Sequence, residues 1–78
     1  MEWSDDLDAR GLLCPLPVLK LRKRLKPMAP GAVIRCQTTD PAAVIDIPHF
    51  CTQDGHHIRS SLEADEGMVW MIEKGGAA

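Results

Sequence analysis

The sequence predicts an α/β (α+β) two-layer sandwich in the order βαβαββ, with two helices packed on one face of a four-stranded mixed sheet. Three observations lead there. Two stretches open on a proline and then place apolar residues at helical spacing, one from Pro15 and one from Asp40-Pro41. Around them lie short alternating stretches of strand character. The chain has only 78 residues, near the size where one core is barely sufficient, so its apolar faces must bury one another. Two helices stacked on one side of a sheet is the simplest way to do so.

Taken in order, residues 3–8 alternate weakly and read as a strand ending near Leu7. Helix one runs over residues 15–26, and Pro27 stops it. At the helical period Val18, Leu21, Leu25 and Met28 share one face, which is assigned to the core. Lys20, Arg22, Lys23, Arg24 and Lys26 cover the rest, and Leu16 and Leu19 fall on that basic outer side. After Pro30-Gly31, residues 32–38 form a strand with Ile34, Cys36 and Thr38 on one face. Asp40-Pro41 is a cap-plus-proline start that opens helix two through Ala43, Val44, Ile47, Phe50 and Cys51. Pro48 inside that helix predicts a kink or a local loss of hydrogen bonding, and Gly55 ends it. Residues 56–62 and 68–72 are two further strands, joined as a hairpin around Asp65-Glu66-Gly67. Residues 1–74 are read as one domain and residues 75–78 as a flexible tail.

The chemistry of the chain gathers at Gly11-Leu12-Leu13-Cys14-Pro15-Leu16-Pro17. A proline is well tolerated at the first helical position, and it pushes the residue before it towards the extended angles of an N-cap. Cys14 therefore reads as the N-cap of helix one, facing unpaired amides and the positive end of the helix dipole. Both favour a thiolate and a modestly lowered pKa. Pro15 and Pro17 stiffen the first turn and leave the Leu16 and Val18 amides free to point at sulfur. These residues alone leave two readings open: a reactive thiol, or a small buried cysteine ahead of a proline-started helix. Asp8 and Arg10 lie close enough in sequence to tune the site.

Composition removes several classes. A net charge of −2 argues against a general nucleic-acid binder. Three cysteines without a CxxC pair argue against a disulfide framework and for a reducing, cytoplasmic setting. No apolar run is long enough to cross a bilayer, and the start of the chain does not read as a secretory leader, so no membrane association is expected. His49, His56 and His57 match no common zinc spacing, so no metal or cofactor is expected and they read as solvated. Cys36 and Cys51 fall on core faces and read as structural. Gly75-Gly76 is followed by Ala77-Ala78, so no free diglycine terminus is present.

Residues 7–17, Leu-Asp-Ala-Arg-Gly-Leu-Leu-Cys-Pro-Leu-Pro, resemble the signature of the TusA (SirA-like) sulfur-carrier family, whose CPxP motif carries the active cysteine. A second block, Pro30-Gly31, then Thr39-Asp40-Pro41-Ala42 and Asp46-Ile47-Pro48-His49-Phe50-Cys51, matches in the same order. The resemblance implies a sandwich like that of the C-terminal domain of translation initiation factor 3. It also implies that Cys14 takes a sulfane sulfur as a persulfide from a cysteine desulfurase or rhodanese-like donor. A downstream acceptor protein then receives it, by transpersulfidation of the sulfurtransferase type. Leu16 fills the variable CPxP position, where the tRNA-thiolation branch carries an acidic residue. The family serves tRNA 2-thiolation, molybdenum-cofactor supply and sulfur-oxidation relays.

A protein partner that brings its own cysteine to Cys14 must cover the surface beside it. Leu16, Leu19, Lys20, Lys23 and Arg10 are therefore the candidate docking residues, with charge steering the encounter. The chain is expected to be a monomer that makes no direct contact with nucleic acid. Two other readings stay open. One is a non-catalytic RNA-binding or regulatory module using the basic face of helix one. The other is a redox-sensing thiol, which would need a resolving cysteine close by.

Overall fold

Alternation in the second strand sets the centre of the molecule. In the computed structural model, which describes residues 2–76, β2 (Val33–Thr38) buries Ile34, Cys36 and Thr38 on one face. Its neighbours are β1 (Asp5–Ala9), which is parallel to it, and β4 (Gly67–Glu73), which is antiparallel. The hairpin partner β3 (His57–Ala64) completes a four-stranded mixed sheet in the order β1-β2-β4-β3. Helices α1 (Leu16–Leu25) and α2 (Ala43–Asp54) give the element order βαβαββ, as expected.

The helices supply the other half of the core. Leu21 and Leu25 of α1 are buried, with Val18 and Met28 packed beside them. Ala43, Ile47, Phe50 and Cys51 of α2 meet the same cluster, together with Leu7, Ala9, Trp70 and Ile72 from the sheet. At roughly 1.5–3 kcal/mol for each fully buried large aliphatic side chain, this cluster is the main favourable contribution to folding. Its one buried polar residue is satisfied: Trp70 Nε1 donates to Thr38 Oγ1 at 3.0 Å. Pro48 sits inside α2, which continues past it to Asp54. Pro17 of α1 is also buried.

Several boundaries differ from the sequence reading, each for a physical reason. Residues 3 and 4 lie ahead of the first strand: Trp3 lies against the Arg35 guanidinium, 4.6 Å from its ring centre, and Ser4 N–H donates to the Val33 carbonyl at 2.8 Å. The ladder starts only at Asp5, opposite Ile34, and continues to the buried Ala9 opposite Thr38. Val44 does not join the core; it turns outward with Ile45 because Ala43 and Ile47 take the buried stripe. The hairpin turn is the pair Asp65-Glu66, with Gly67 already opposite Ala64 in the ladder.

The tail reading is corrected at Gly75. Its backbone is packed so closely on the Gly55 carbonyl that a Cβ there would overlap it. Gly55 is itself the left-handed C-cap of α2, at φ 77°, where glycine is favoured. The Gly75 N–H donates to His56 Nδ1 at 3.0 Å. His56 is thus half-buried and structural, also packing on the Phe50 ring at 5.6 Å, and is not the solvated residue that the sequence suggested. Just before Gly75 in the chain, Lys74 reaches the far end of α1 and donates to the Leu25 carbonyl at 2.7 Å and the Lys26 carbonyl at 3.3 Å. The remainder of the expected tail, Ala77 and Ala78, lies outside the described residues.

Burial and the nearby Lys74 charge lower the pKa of His56 below its ordinary 6.5. A depressed imidazole pKa means the unfolded chain binds the proton more readily. Its stabilising contribution is then complete above 6.5 and is lost as pH falls through the lower folded value. Denaturation midpoints should therefore drop as pH is taken from about 7 to about 5, and His56→Gln should flatten that dependence. An equally steep fall in the variant would show that another group is responsible.

Candidate functional site

The loop between β1 and α1 carries Cys14, and the start of α2 holds that loop in place. Gly11 N–H donates to Thr39 Oγ1 at 2.8 Å, and Cys14 N–H donates to Asp40 Oδ2 at 2.7 Å. The other oxygen of Asp40 accepts the Ala42 N–H at 3.1 Å, so one carboxylate caps the turn leading into α2 and anchors the cysteine. The Asp40-Pro41 start signal is thus present, one turn ahead of the helix proper.

Cys14 itself is exposed. It is not the N-cap of α1: the helix begins at Leu16 and Pro15 holds the cap position, leaving Cys14 one residue further out. The Leu16 amide does not point free towards sulfur, because it donates to the Leu13 carbonyl at 2.9 Å. The electrostatic expectation is overturned as well. The thiol pKa is raised, first by a side-chain hydrogen bond to Asp46, then by partial desolvation and by the charges of Asp46 and Asp40. Carboxylates facing sulfur penalise its anion.

The thiol opens onto a small cavity of about 230 Å³ between the two helices. Pro15, Val18 and Phe50 give it apolar walls, while Arg22, Asp46, His49 and Gln53 edge it with polar groups. Arg22 is held across this space by Phe50, its guanidinium 5.5 Å from the ring centre, and its Nε lies 3.8 Å from Asp54. The sequence reading placed none of Asp46, His49 or Gln53 beside Cys14. Their spacing along α2 puts them on one stripe next to the buried one, a signal present in the sequence. That this stripe meets the CPxP turn depends on how the helices pack.

The remaining candidates divide. Arg10 and Asp8 do not tune the thiol but pair with each other through two bonds of 2.9 Å, which hold the Asp8 carboxyl at about 2. Leu16 and Leu19 are exposed at 45% and 47%, and Lys20 and Lys23 flank a groove towards β1 on the opposite side of α1 from the cavity. Leu13, next to Cys14 in the chain, is exposed too, as are Val44 and Ile45 in the first turn of α2. Cys36 and Cys51 are buried, and burial pushes their thiols to about 12 and about 11.

Replacing Asp40 with alanine tests the anchor. The variant should lose about 0.5–2 kcal/mol of unfolding free energy, the range for a lost helix-cap acceptor. Amide exchange at Cys14 and Ala42 should accelerate, while Gly11, held by Thr39, keeps its protection.

The family profile "Sulfurtransferase TusA" matches residues 5–74, which span every strand and helix. A sulfur carrier protein TusA from Allochromatium vinosum is 37% identical over 73 residues, covering 94% of this chain and 96% of that protein. One from Pseudomonas aeruginosa is 39% identical over 69 residues, covering 87% of each. Among solved structures, a SirA-like protein from Desulfitobacterium hafniense superposes with a TM-score of 0.77 at 23% identity, over 95% of this chain and all of that one, and shares its fold. With a profile match over almost its whole length and relatives at this identity, the chain belongs to the TusA family.

Proposed function

We propose that this protein is a sulfur carrier that works through one thiol, Cys14. The observation that carries the reading is the exposure of Cys14 at the mouth of a small cavity, while both other cysteines are sealed in the core. A cysteine desulfurase or rhodanese-like donor presents a persulfide, and Cys14 attacks its terminal sulfur by the logic of thiol–disulfide exchange. The product, a Cys14 persulfide, is then attacked by the thiol of an acceptor protein. Cys36 and Cys51 are protonated at neutral pH and enclosed, so neither competes for the sulfur. The relay fed is one of tRNA 2-thiolation, molybdenum-cofactor supply or sulfur oxidation, and the cytoplasm is its setting. Among the described residues no helix is long and apolar enough to cross a membrane.

Both protein partners dock on the outer face of α1 and the loop before it. Leu13, Leu16 and Leu19 give apolar contact, and Lys20, Lys23 and Arg10 lie around them. The basic face is weaker than the sequence suggests for an RNA module. Arg24 pairs with Asp5 at 3.1 Å and Arg22 lies 3.8 Å from Asp54, so part of its charge is already met. Carrier function is therefore favoured over phosphate binding, which needs several free cations.

Two measurements test this. Incubation with a cysteine desulfurase and cysteine should add one sulfur atom by intact mass. The addition should persist in Cys36→Ala and Cys51→Ala and vanish in Cys14→Ser; a wild-type protein that loads from neither a desulfurase nor a rhodanese-like donor sinks the proposal. The double variant Lys20→Glu/Lys23→Glu should slow transfer from a protein donor by roughly tenfold or more, as expected where charge steers association. Its alkylation by iodoacetamide should not change. Unaltered transfer would remove the lysines from the docking face.

A further inference from the structure

The motif around Cys14 supplies a thiol and two prolines, but no group that can accept a proton. Helix α2 lines the cavity beside it with two, Asp46 and His49. Asp46, in its first turn, lines the same cavity as the Cys14 thiol and is the main influence that raises the thiol's pKa. No ion pair among the described residues engages this carboxylate; the acids that are paired are Asp5, Asp6, Asp8, Asp54 and Glu73. The charged and titratable groups around the thiol are Asp40 ahead of α2, Asp46 and His49 on α2, and Arg22 on α1. Arg22 is engaged by the Phe50 ring and by Asp54. The Asp40 carboxylate is taken up by the Cys14 and Ala42 amides, whereas Asp46 shares the cavity with the thiol and has the largest effect on it.

This creates a problem that Asp46 itself can solve. Two carboxylates disfavour a free thiolate, so Cys14 is largely a thiol at neutral pH. A thiol is a poor nucleophile unless its proton leaves as the new bond forms. We infer that Asp46 is a catalytic residue that relays the Cys14 proton to the departing donor sulfur during loading, and carries it back to Cys14 during unloading. The inference rests on the carrier reading above and specifies how its reaction proceeds.

The step balances without an outside reagent. The Cys14 S–H bond breaks and its proton passes to the Asp46 carboxylate. The sulfur electron pair forms a bond to the terminal sulfur of the donor persulfide, the donor S–S bond breaks, and its pair stays on the donor sulfur. Asp46 then protonates that thiolate. One thiol and one persulfide are converted into one persulfide and one thiol, with no net oxidation. A weakly basic carboxylate suffices because the proton moves overall from one thiol to another. It also leaves Cys14 with the higher intrinsic nucleophilicity of a thiolate of raised basicity.

Asp46→Asn separates this role from simple electrostatics, because the two expect opposite results. Removing the charge makes the Cys14 thiol more acidic, so the midpoint of its iodoacetamide rate-against-pH curve should move down. If Asp46 acted only by repelling the anion, sulfur loading near pH 7 would then become faster. A proton relay instead expects loading from cysteine persulfide, a donor that needs no protein docking, to slow by roughly 10²-fold. Asp46→Glu keeps a carboxylate and should stay within about tenfold of wild type, which guards against a variant that merely misfolds. Loading by the asparagine variant at or above the wild-type rate overturns the inference, as does an unchanged alkylation midpoint. Loading of Cys14→Ser as well as wild type would instead overturn the carrier reading, and the alkylation curves would still report on the contact.

Discussion

Parallel pairing of β1 with β2 brings Ala9 level with Thr38, and thereby puts both strand-to-helix turns at the same edge of the sheet. Everything at the candidate site depends on this. The residues that follow Ala9 run to Cys14; those that follow Thr38 are Thr39 and Asp40, whose side chains take the Gly11 and Cys14 amides. An antiparallel partner in place of β1 would send one of these turns to the other end of the sheet. The same arrangement starts both helices side by side, so that their facing surfaces enclose the space beside sulfur. A cysteine on a loop that would otherwise wander is thus held by backbone hydrogen bonds to an element far along the chain.

Much of the fold was legible in the sequence because its signals are local. The alternation of Ile34, Cys36 and Thr38, the helical spacing of Leu21 and Leu25, and the stop at Gly55 each reflect one element's own geometry. The errors have a different origin. The thiol of Cys14 looks acidic when only its own helix is considered, yet the carboxylates that reverse the shift belong to α2 and its lead-in, with Asp40 26 positions away. Gly75 looks like the start of a loose end because its partners, Gly55 and His56, are distant in sequence. Val44 looks like core by composition and is outside by phase. Long-range contacts decide charge and order here, and periodicity does not encode them.

The three cysteines show how one residue type is given different chemistry by position. Cys36 and Cys51 fill core volume and are kept protonated by burial. Cys14 is kept mostly protonated too, but by carboxylates at the surface, where an approaching group can change the balance. A resting thiol of this kind resists stray oxidation, which follows thiolate character and exposure.

The ammonium of Lys74, bonded to the last carbonyls of α1, has a consequence for how the molecule comes into being. The first helix is finished by a residue 49 positions later, directly after the strand that pairs with β2 and β3. While the chain is still emerging from a ribosome, α1 lacks that cap, and β2 lacks one of its two neighbours until β4 arrives. Assembly therefore waits until β4 and Lys74 have emerged. Until then the cysteine motif, although made early, sits on a chain whose sheet is not yet closed.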